Sequence, residues 1–261
     1  MQPFLDELCF AELPDARPAF NGSFVGQATF NGCIAFANWP RRDVERLLPP
    51  ELQLATNVSS TPQLHPLAFI FGENSDGATI FGAMTLPLGV RYFEFALTIP
   101  FVQHGPHSHL QVYIPRMYSG YFPATWNGNL HYGFAKETAK MYRDGPVFVI
   151  MTEAGALLLR AAVATTAGWQ PADACALPNF AAMQAVFSLP VLGRKANGTY
   201  VRSHFGWDFR DARVRPADAC ISIDAPLIAR LPQRRCEAVP CGTFEVSNMV
   251  WRLSWPTPCR F

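Results

Sequence analysis

Residues 92–100, Tyr92-Phe93-Glu94-Phe95-Ala96-Leu97-Thr98-Ile99-Pro100, hold one charged side chain within an apolar and aromatic run. Side chains alternate between the two faces of a β-strand, so Tyr92, Glu94 and Ala96 share one face and the two phenylalanines share the other. A carboxylate flanked by aromatic residues is either a solvent-facing residue at a sheet edge or an acid/base group in a pocket. This stretch alone leaves both interpretations open.

Similar short or alternating apolar runs, bounded by turn residues, recur along the chain and predict further β-strands. They cover residues 29–37, 67–71, 79–86, 110–114, 147–152, 156–165, 182–189, 211–223 and 244–255. Helices are fewer: a short one is predicted at 43–48, with Asp43 as its cap, and shorter helical segments at 137–142 and 227–231. Because no repeat or linker divides the sequence, we predict one β-rich α+β domain with a few short helices over residues 1–261.

Composition excludes several functional classes. The 261 residues carry a net charge of +1 without a basic tract, which argues against nucleic-acid binding. No apolar run approaches the roughly 20 residues of a membrane span, and the acidic start lacks the apolar region of a secretory signal. The seven cysteines are irregularly spaced, without a Cys-x-x-Cys pair, so we expect reduced thiols and a cytoplasmic protein.

Lysine is scarce, with three residues against eighteen arginines. Two of the three, Lys136 and Lys140, fall within ten residues of each other, after the apolar lead-in Leu130-His131-Tyr132-Gly133-Phe134-Ala135. One interpretation is a solvated lysine pair on a helical turn. The other is a lysine in a sheltered pocket, where loss of hydration favours the neutral amine that attacks carbonyl carbons.

The sequence gives little support for a metal or an organic cofactor. His104, His107 and His109 lie close together, but a zinc site needs three or four ligands held by rigid elements, and no partner residue has a suitable spacing. We interpret the three histidines as ordinary loop residues. Nucleotide-binding glycine motifs and the Gly-x-Ser-x-Gly motif of serine hydrolases are absent.

Four segments, taken in order, resemble the acetoacetate decarboxylase-like superfamily. They are Phe30-Asn31-Gly32-Cys33-Ile34-Ala35-Phe36 through Leu48-Pro49-Pro50-Glu51-Leu52, then Tyr92-Phe93-Glu94 with Ile99-Pro100, then Gly128 with Gly133-Phe134-Ala135-Lys136, and finally residues 209–223 with 241–256. The resemblance implies an α+β domain around a cone-like antiparallel barrel. It also implies a homo-oligomer that needs no cofactor.

By this resemblance Lys136 is the nucleophilic lysine of a Schiff-base lyase acting on a small keto acid, and Glu94 is the pocket glutamate. Tyr132 is a candidate hydroxyl donor near the imine, and Phe30, Phe71 and Phe134 are candidate apolar walls. The expected reaction is decarboxylation of a β-keto acid. Aldolase-dehydratase or cyclase chemistry on the same lysine, a non-catalytic ligand-binding protein and a structural subunit stay open.

The chain departs from the family pattern at four positions. Glu137 replaces a second lysine, Phe30 an arginine, Leu130 a glutamate and Ala135 a proline. These losses of polar groups indicate a larger or more hydrophobic substrate than acetoacetate. Beside a neutral lysine, Glu137 must either point out of the pocket or be protonated. Arg91 and Arg116 are the two candidates for a group that binds a substrate carboxylate.

Overall fold

The computed structural model describes residues 22–56, 58, 61–105, 108–228 and 233–259. Strands dominate this part of the chain, and helices are short. In chain order the elements are β1 (Phe24–Pro40), α1 (Arg41–Glu45), β2 (Gln53–Leu54), β3 (Leu64–Phe81), β4 (Met84–Pro87), β5 (Tyr92–Gln103), β6 (Gln111–Ser119), α2 (Phe122–Asn127), a π-helical segment (Gly128–Tyr132), β7 (Lys136–Thr138), β8 (Lys140–Asp144), β9 (Val147–Met151), β10 (Leu157–Thr165), β11 (Gln170–Pro171), α3 (Phe180–Phe187), β12 (Val191–Arg194), β13 (Tyr200–Ser203), β14 (Phe205–Asp208), β15 (Arg213–Ile223), β16 (Arg234–Glu237), β17 (Thr243–Ser254) and β18 (Thr257–Pro258).

The centre of the sheet is an antiparallel ladder in the order β17, β1, β3, β5, β6. Strand β6 then pairs in parallel with both β7 and β12. The predicted β-rich α+β class is therefore confirmed. Among the described strands the sheet does not close on itself, so the barrel that the resemblance implied is an open sheet here.

Both faces of the central strands are buried, because successive side chains enter two different apolar clusters. Phe69, Phe95 and Leu97 belong to the first core, whereas Ala68 and Ala96 belong to the second. Two-sided burial explains why these strands read as nearly continuous apolar runs rather than as clean alternations. The second core surrounds the cavity described below.

Three local predictions were wrong. Residues 182–189 are not a strand but lie mostly in helix α3, since a short apolar run fits a buried helix as well as a strand. Residues 137–142 form β7 and β8, because pairing with β6 and β9 overrides a weak helical preference. Helix α1 begins at Arg41, directly after Pro40, whose ring fixes the backbone φ angle. Asp43, the predicted cap, lies within the first turn of the helix.

Other expectations meet the structure only in part. Of the segment 227–231, the described residues Leu227 and Ile228 are not helical, and the rest lies outside the described residues. Six described cysteines carry free thiols. No helix in the described ranges has the length and apolar character needed to cross a bilayer. The assignment of residues 1–261 to one domain stays a prediction.

A buried histidine makes the fold sensitive to acid. His65 on β3 is fully buried, and its Nε2 donates to the carbonyl oxygen of Pro100 at 2.8 Å. Burial lowers the pKa of His65 from 6.5 to about 4, and the charge of Arg41 acts in the same direction. Between these two pH values the unfolded chain binds a proton that the folded chain excludes.

We therefore expect the free energy of unfolding to fall as pH decreases from about 6.5 to 4, by about 3 kcal/mol from this histidine. Urea unfolding between pH 7 and pH 4 measures the effect. His65→Gln should flatten the slope, even if it lowers stability at neutral pH, whereas His109→Gln at an exposed position should leave the slope unchanged. Equal slopes for all three proteins would contradict this assignment.

Candidate active site

The nitrogen of Lys136 lies in a nearly dry environment beside a carboxylate. The side chain is 6% exposed, and its Nζ donates to Oε2 of Glu94 at 2.5 Å. The two residues are 42 positions apart in sequence. They meet because β6 lies between their strands: Lys136 pairs with Met117 on one side, and Glu94 pairs with Ser119 on the other.

The backbone of Lys136 is held by one amide side chain. Asn129, in the π-helical segment, accepts from the Lys136 N–H at 2.9 Å and donates to the Lys136 carbonyl at 2.8 Å. Both hydrogen bonds join residues that are seven positions apart, so the segment before β7 folds back onto Lys136. Asn129 is a positioning residue that sequence analysis missed, since its exposed, polar surroundings carry no distinctive pattern.

Close backbone packing against β12 also holds the segment before Lys136 in place. A Cβ added at Gly193 on β12 would lie 1.9 Å from the carbonyl oxygen of Tyr132. Gly133 has a φ of +64°, and its carbonyl accepts from the N–H of Arg194 at 2.9 Å. Because two backbones touch here without intervening side chains, glycine is required at both positions. The lead-in to Lys136 is thus tied to β12.

An apolar cavity opens beside the ion pair on the second-core face of the sheet. The volume of this cavity is about 70 Å³. Its lining contains three polar side chains, those of Asn74, Glu94 and Thr98, and the described lining residues include no arginine or lysine. The other walls are Phe30, Ile70, Ala96, Val112, Ile114, Met117, Val186, Phe187, Leu189, Val191, Phe205, Trp207 and Trp251.

A hydrogen-bonded chain of side chains approaches Glu94 from β3 and β17. The indole N–H of Trp251 donates to Oδ1 of Asn74 at 2.8 Å, and Asn74 in turn hydrogen-bonds Tyr92. Burial raises the pKa of Tyr92 well above its ordinary value, and the charge of Glu94 adds to this, while the Asn74 bond opposes it. Tyr92 therefore stays a protonated phenol and a hydrogen-bond donor. The two-residue period of 92–96 indicated its position.

Glu137 points away from the cavity. Its side chain is 56% exposed and pairs with Arg116 at the surface. Arg91, whose side chain is 72% exposed, pairs with Glu73. Neither arginine lines the cavity, so neither is placed to bind a substrate carboxylate there. The requirement that Glu137 leave the lysine undisturbed is met.

The predicted wall residues divide between the two faces of the sheet. Phe30 lines the cavity, but Phe71 does not: it lies in the first core against Phe148, with ring centroids 4.8 Å apart. Its neighbour Ile70 occupies the cavity wall, because adjacent residues of a strand face opposite sides. Tyr132 and Phe134 are stacked at 5.5 Å in the second core, outside the described lining.

Tyr132 instead faces a second depression, here called the outer groove. It is lined by β1, the β3–β4 hairpin, α2 and β17, and its volume is about 630 Å³. Burial raises the pKa of Tyr132 to about 12. Asn74 and Trp251 line both the groove and the cavity, so the two are adjacent. Exposed apolar side chains, including Phe81, Leu88 and Trp255, border the groove.

The histidine loop forms no metal centre within the described part of the chain. His107 lies outside it, and no group of three or more His, Cys, Asp or Glu side chains among the described residues is arranged to hold a metal ion.

The arrangement of the whole chain matches known structures. It superposes on the enduracididine biosynthesis enzyme MppR, bound to the condensation product of pyruvate and imidazole 4-carboxaldehyde, with a TM-score of 0.63 over 94% of this chain and 92% of that one. Acetoacetate decarboxylase from Legionella pneumophila subsp. pneumophila gives 0.60 over 95% and 93%. The chain has the acetoacetate decarboxylase-like fold. An acetoacetate decarboxylase-like enzyme from Sphingomonas wittichii RW1 gives 0.59 over 92% and 94%.

Sequence identity to these three proteins is 12%, 12% and 13%, which establishes the fold alone. No protein-family model matches the chain, and no curated protein matches it significantly in sequence. The chemistry must therefore be inferred from this chain's own side chains, above all from the buried amine and its carboxylate.

Breaking the Lys136–Glu94 pair should leave an unbalanced charge in a sheltered place. We expect Lys136→Met and Glu94→Gln each to lower the free energy of unfolding by about 3 kcal/mol, and the double variant to lose about as much as one single variant. Urea unfolding at neutral pH measures all three. The exposed Arg91–Glu73 pair is the control, since Arg91→Met should leave the free energy of unfolding almost unchanged. Additive losses at Lys136 and Glu94 would contradict the coupling.

Proposed function

We propose that this protein is a Schiff-base lyase in which Lys136 attacks the carbonyl carbon of a keto acid and Glu94 moves the protons. The observation that carries the proposal is the buried amine 2.5 Å from a carboxylate that lines an apolar cavity. A purely structural ion pair gains little from such a position, because burial of both charges opposes it.

The carboxylate gives the amine a route to its reactive form. Glu94 takes a proton from the Lys136 ammonium, and the neutral nitrogen then adds to the carbonyl carbon. The carbonyl π electrons move to oxygen, which takes a proton back from Glu94. Loss of that oxygen as water, with a second proton transfer, leaves a protonated imine on Lys136. Tyr92, a protonated phenol on the same strand face as Glu94, is our candidate for a hydrogen-bond donor during these transfers.

The imine then serves as an electron sink. In a β-keto acid the bond to the carboxylate carbon breaks, its electron pair moves into the iminium to give an enamine, and carbon dioxide leaves. The enamine carbon takes a proton, and water hydrolyses the resulting imine to release the ketone and Lys136. The apolar walls favour this step, because a charged carboxylate becomes a neutral gas there.

Addition of an enamine to an aldehyde is the second candidate, since it uses the same lysine. The similar fold of MppR holds a condensation product of pyruvate and an aldehyde, which supports this alternative. A non-catalytic ligand-binding protein on the same scaffold would use the cavity but would not need the amine. Trapping of the imine separates that possibility from the catalytic ones.

Treatment with borohydride in the presence of a keto acid should reduce the imine and fix the adduct. We expect the added mass on Lys136 alone, because Lys136 is the buried amine paired with Glu94, whereas Lys140 is exposed on β8 and Lys195 lies in the turn after β12. Peptide mass spectrometry locates the adduct, and Lys136→Met is the control. A label on Lys140 or Lys195 with none on Lys136 would rule out the proposed mechanism.

Glu94→Gln should slow turnover about 10²- to 10⁴-fold, the usual contribution of a positioned acid/base group. Because glutamine keeps the shape and a hydrogen bond to the amine, slow borohydride trapping should persist while release of carbon dioxide, or consumption of aldehyde, nearly stops. Glu137→Gln, at the surface pair with Arg116, is the matched control and should keep the wild-type rate. Equal rates for both variants would remove Glu94 from the mechanism.

A further inference from the structure

We propose that the natural substrate carries a bulky apolar or aromatic substituent on its carbonyl carbon, and that its only charge lies beside that carbon. This inference rests on the proposed function and names the substrate class of the same site. It follows from the chemistry of the cavity walls rather than from the reacting pair.

Part of the cavity wall is aromatic. Phe187 on α3 packs against Trp207 with centroids 4.9 Å apart, Phe205 stacks on Trp207 at 5.3 Å, and Trp251 meets Phe205 at 5.8 Å. Trp251 is also hydrogen-bonded to Asn74, which lines the same cavity as Glu94. Flat, rigid faces of this kind bury a ring or an alkyl chain well and offer a methyl group little contact.

Charge within the cavity is confined to one place. Glu94 supplies the only charged side chain of the described lining, and its partner is Lys136. Arg91 and Arg116 are paired with Glu73 and Glu137 outside it. A substrate carboxylate can therefore be balanced only by the iminium nitrogen, which requires it to lie within a few bonds of the ketone. A second carboxylate on the far side would be buried without a partner.

A substituent longer than the cavity can extend toward the outer groove. It adjoins the cavity through Asn74 and Trp251, and its border is apolar. Leu88 and Trp255 are more than half exposed there, at 53% and 55%. A chain too long for the cavity can thus cover apolar surface that is otherwise in contact with water.

Borohydride trapping across three β-keto acids with the same reacting group tests the inference. The probes are acetoacetate, its homologue whose terminal methyl carries a benzyl group, and 3-oxosuberate, a β-keto acid whose second carboxylate lies four methylene groups from the ketone. We expect half-maximal labelling of Lys136 at a concentration at least about tenfold lower for the benzyl homologue than for acetoacetate. 3-Oxosuberate should label least.

Two variants locate the effect. Trp207→Leu should weaken labelling by the benzyl homologue about tenfold or more, with a smaller effect on acetoacetate. Phe71→Leu, on the opposite face of β3, makes a comparable deletion in the first core and should leave the ratio between the two probes unchanged. Equal half-saturation for the benzyl homologue and acetoacetate, with Lys136 labelled by both, would overturn the substrate class and leave the Schiff-base function standing.

A measurement that needs no imine keeps the two claims apart. In the double variant Lys136→Met/Glu94→Gln, benzylacetone should quench tryptophan fluorescence at a concentration at least about tenfold lower than acetone, and Trp207→Leu in that background should reduce the difference. If no keto acid labels Lys136 but this difference is found, the Schiff-base function fails and the apolar ligand class stands. If benzylacetone and acetone behave alike, the ligand class fails.

Discussion

The site depends on the hydrogen bond between Lys136 and Glu94 in a place that water scarcely reaches. A charged amine alone in that place would be costly, and a carboxylate alone would be equally costly. Side by side, the two charges offset each other. The surrounding elements maintain that contact. Strand β6 lies between β5, which carries Glu94, and β7, which carries Lys136, and Asn129 holds the lysine backbone.

Sequence alone indicated the Lys136–Glu94 pair better than it indicated the cavity walls. The two-residue period of 92–100 put Glu94 and Tyr92 on one face, and the scarcity of lysine singled out Lys136. The same alternation shows why Phe71 was a wrong choice, since a shift of one residue moves a side chain to the other core. Helix α3 and its wall residue Phe187 could not be found this way, because an eight-residue apolar run has no decisive period.

Asn129 illustrates a second limit. Its role depends on a π-helical segment that turns the chain back on itself, and such a segment has no recognisable signature in sequence. The pairing of β7 with β6 is parallel and only three residues long, so its register is likewise set by tertiary contacts. Positions that differ from the family pattern were informative, however. Phe30 stands in the cavity wall where the resemblance places an arginine, and the rest of the described lining is apolar apart from Asn74, Glu94 and Thr98.

The crossing of Gly133 and Gly193 has a consequence for how such a protein can change over generations. The spacing between β12 and the segment before Lys136 is set by main-chain contact, because no side chain fits between Gly193 and the carbonyl of Tyr132. The apolar lining residues of the cavity can therefore be exchanged without altering this contact. Proteins built on this scaffold can differ in their cavity walls and still keep the position of Lys136, provided that glycine stays at positions 133 and 193.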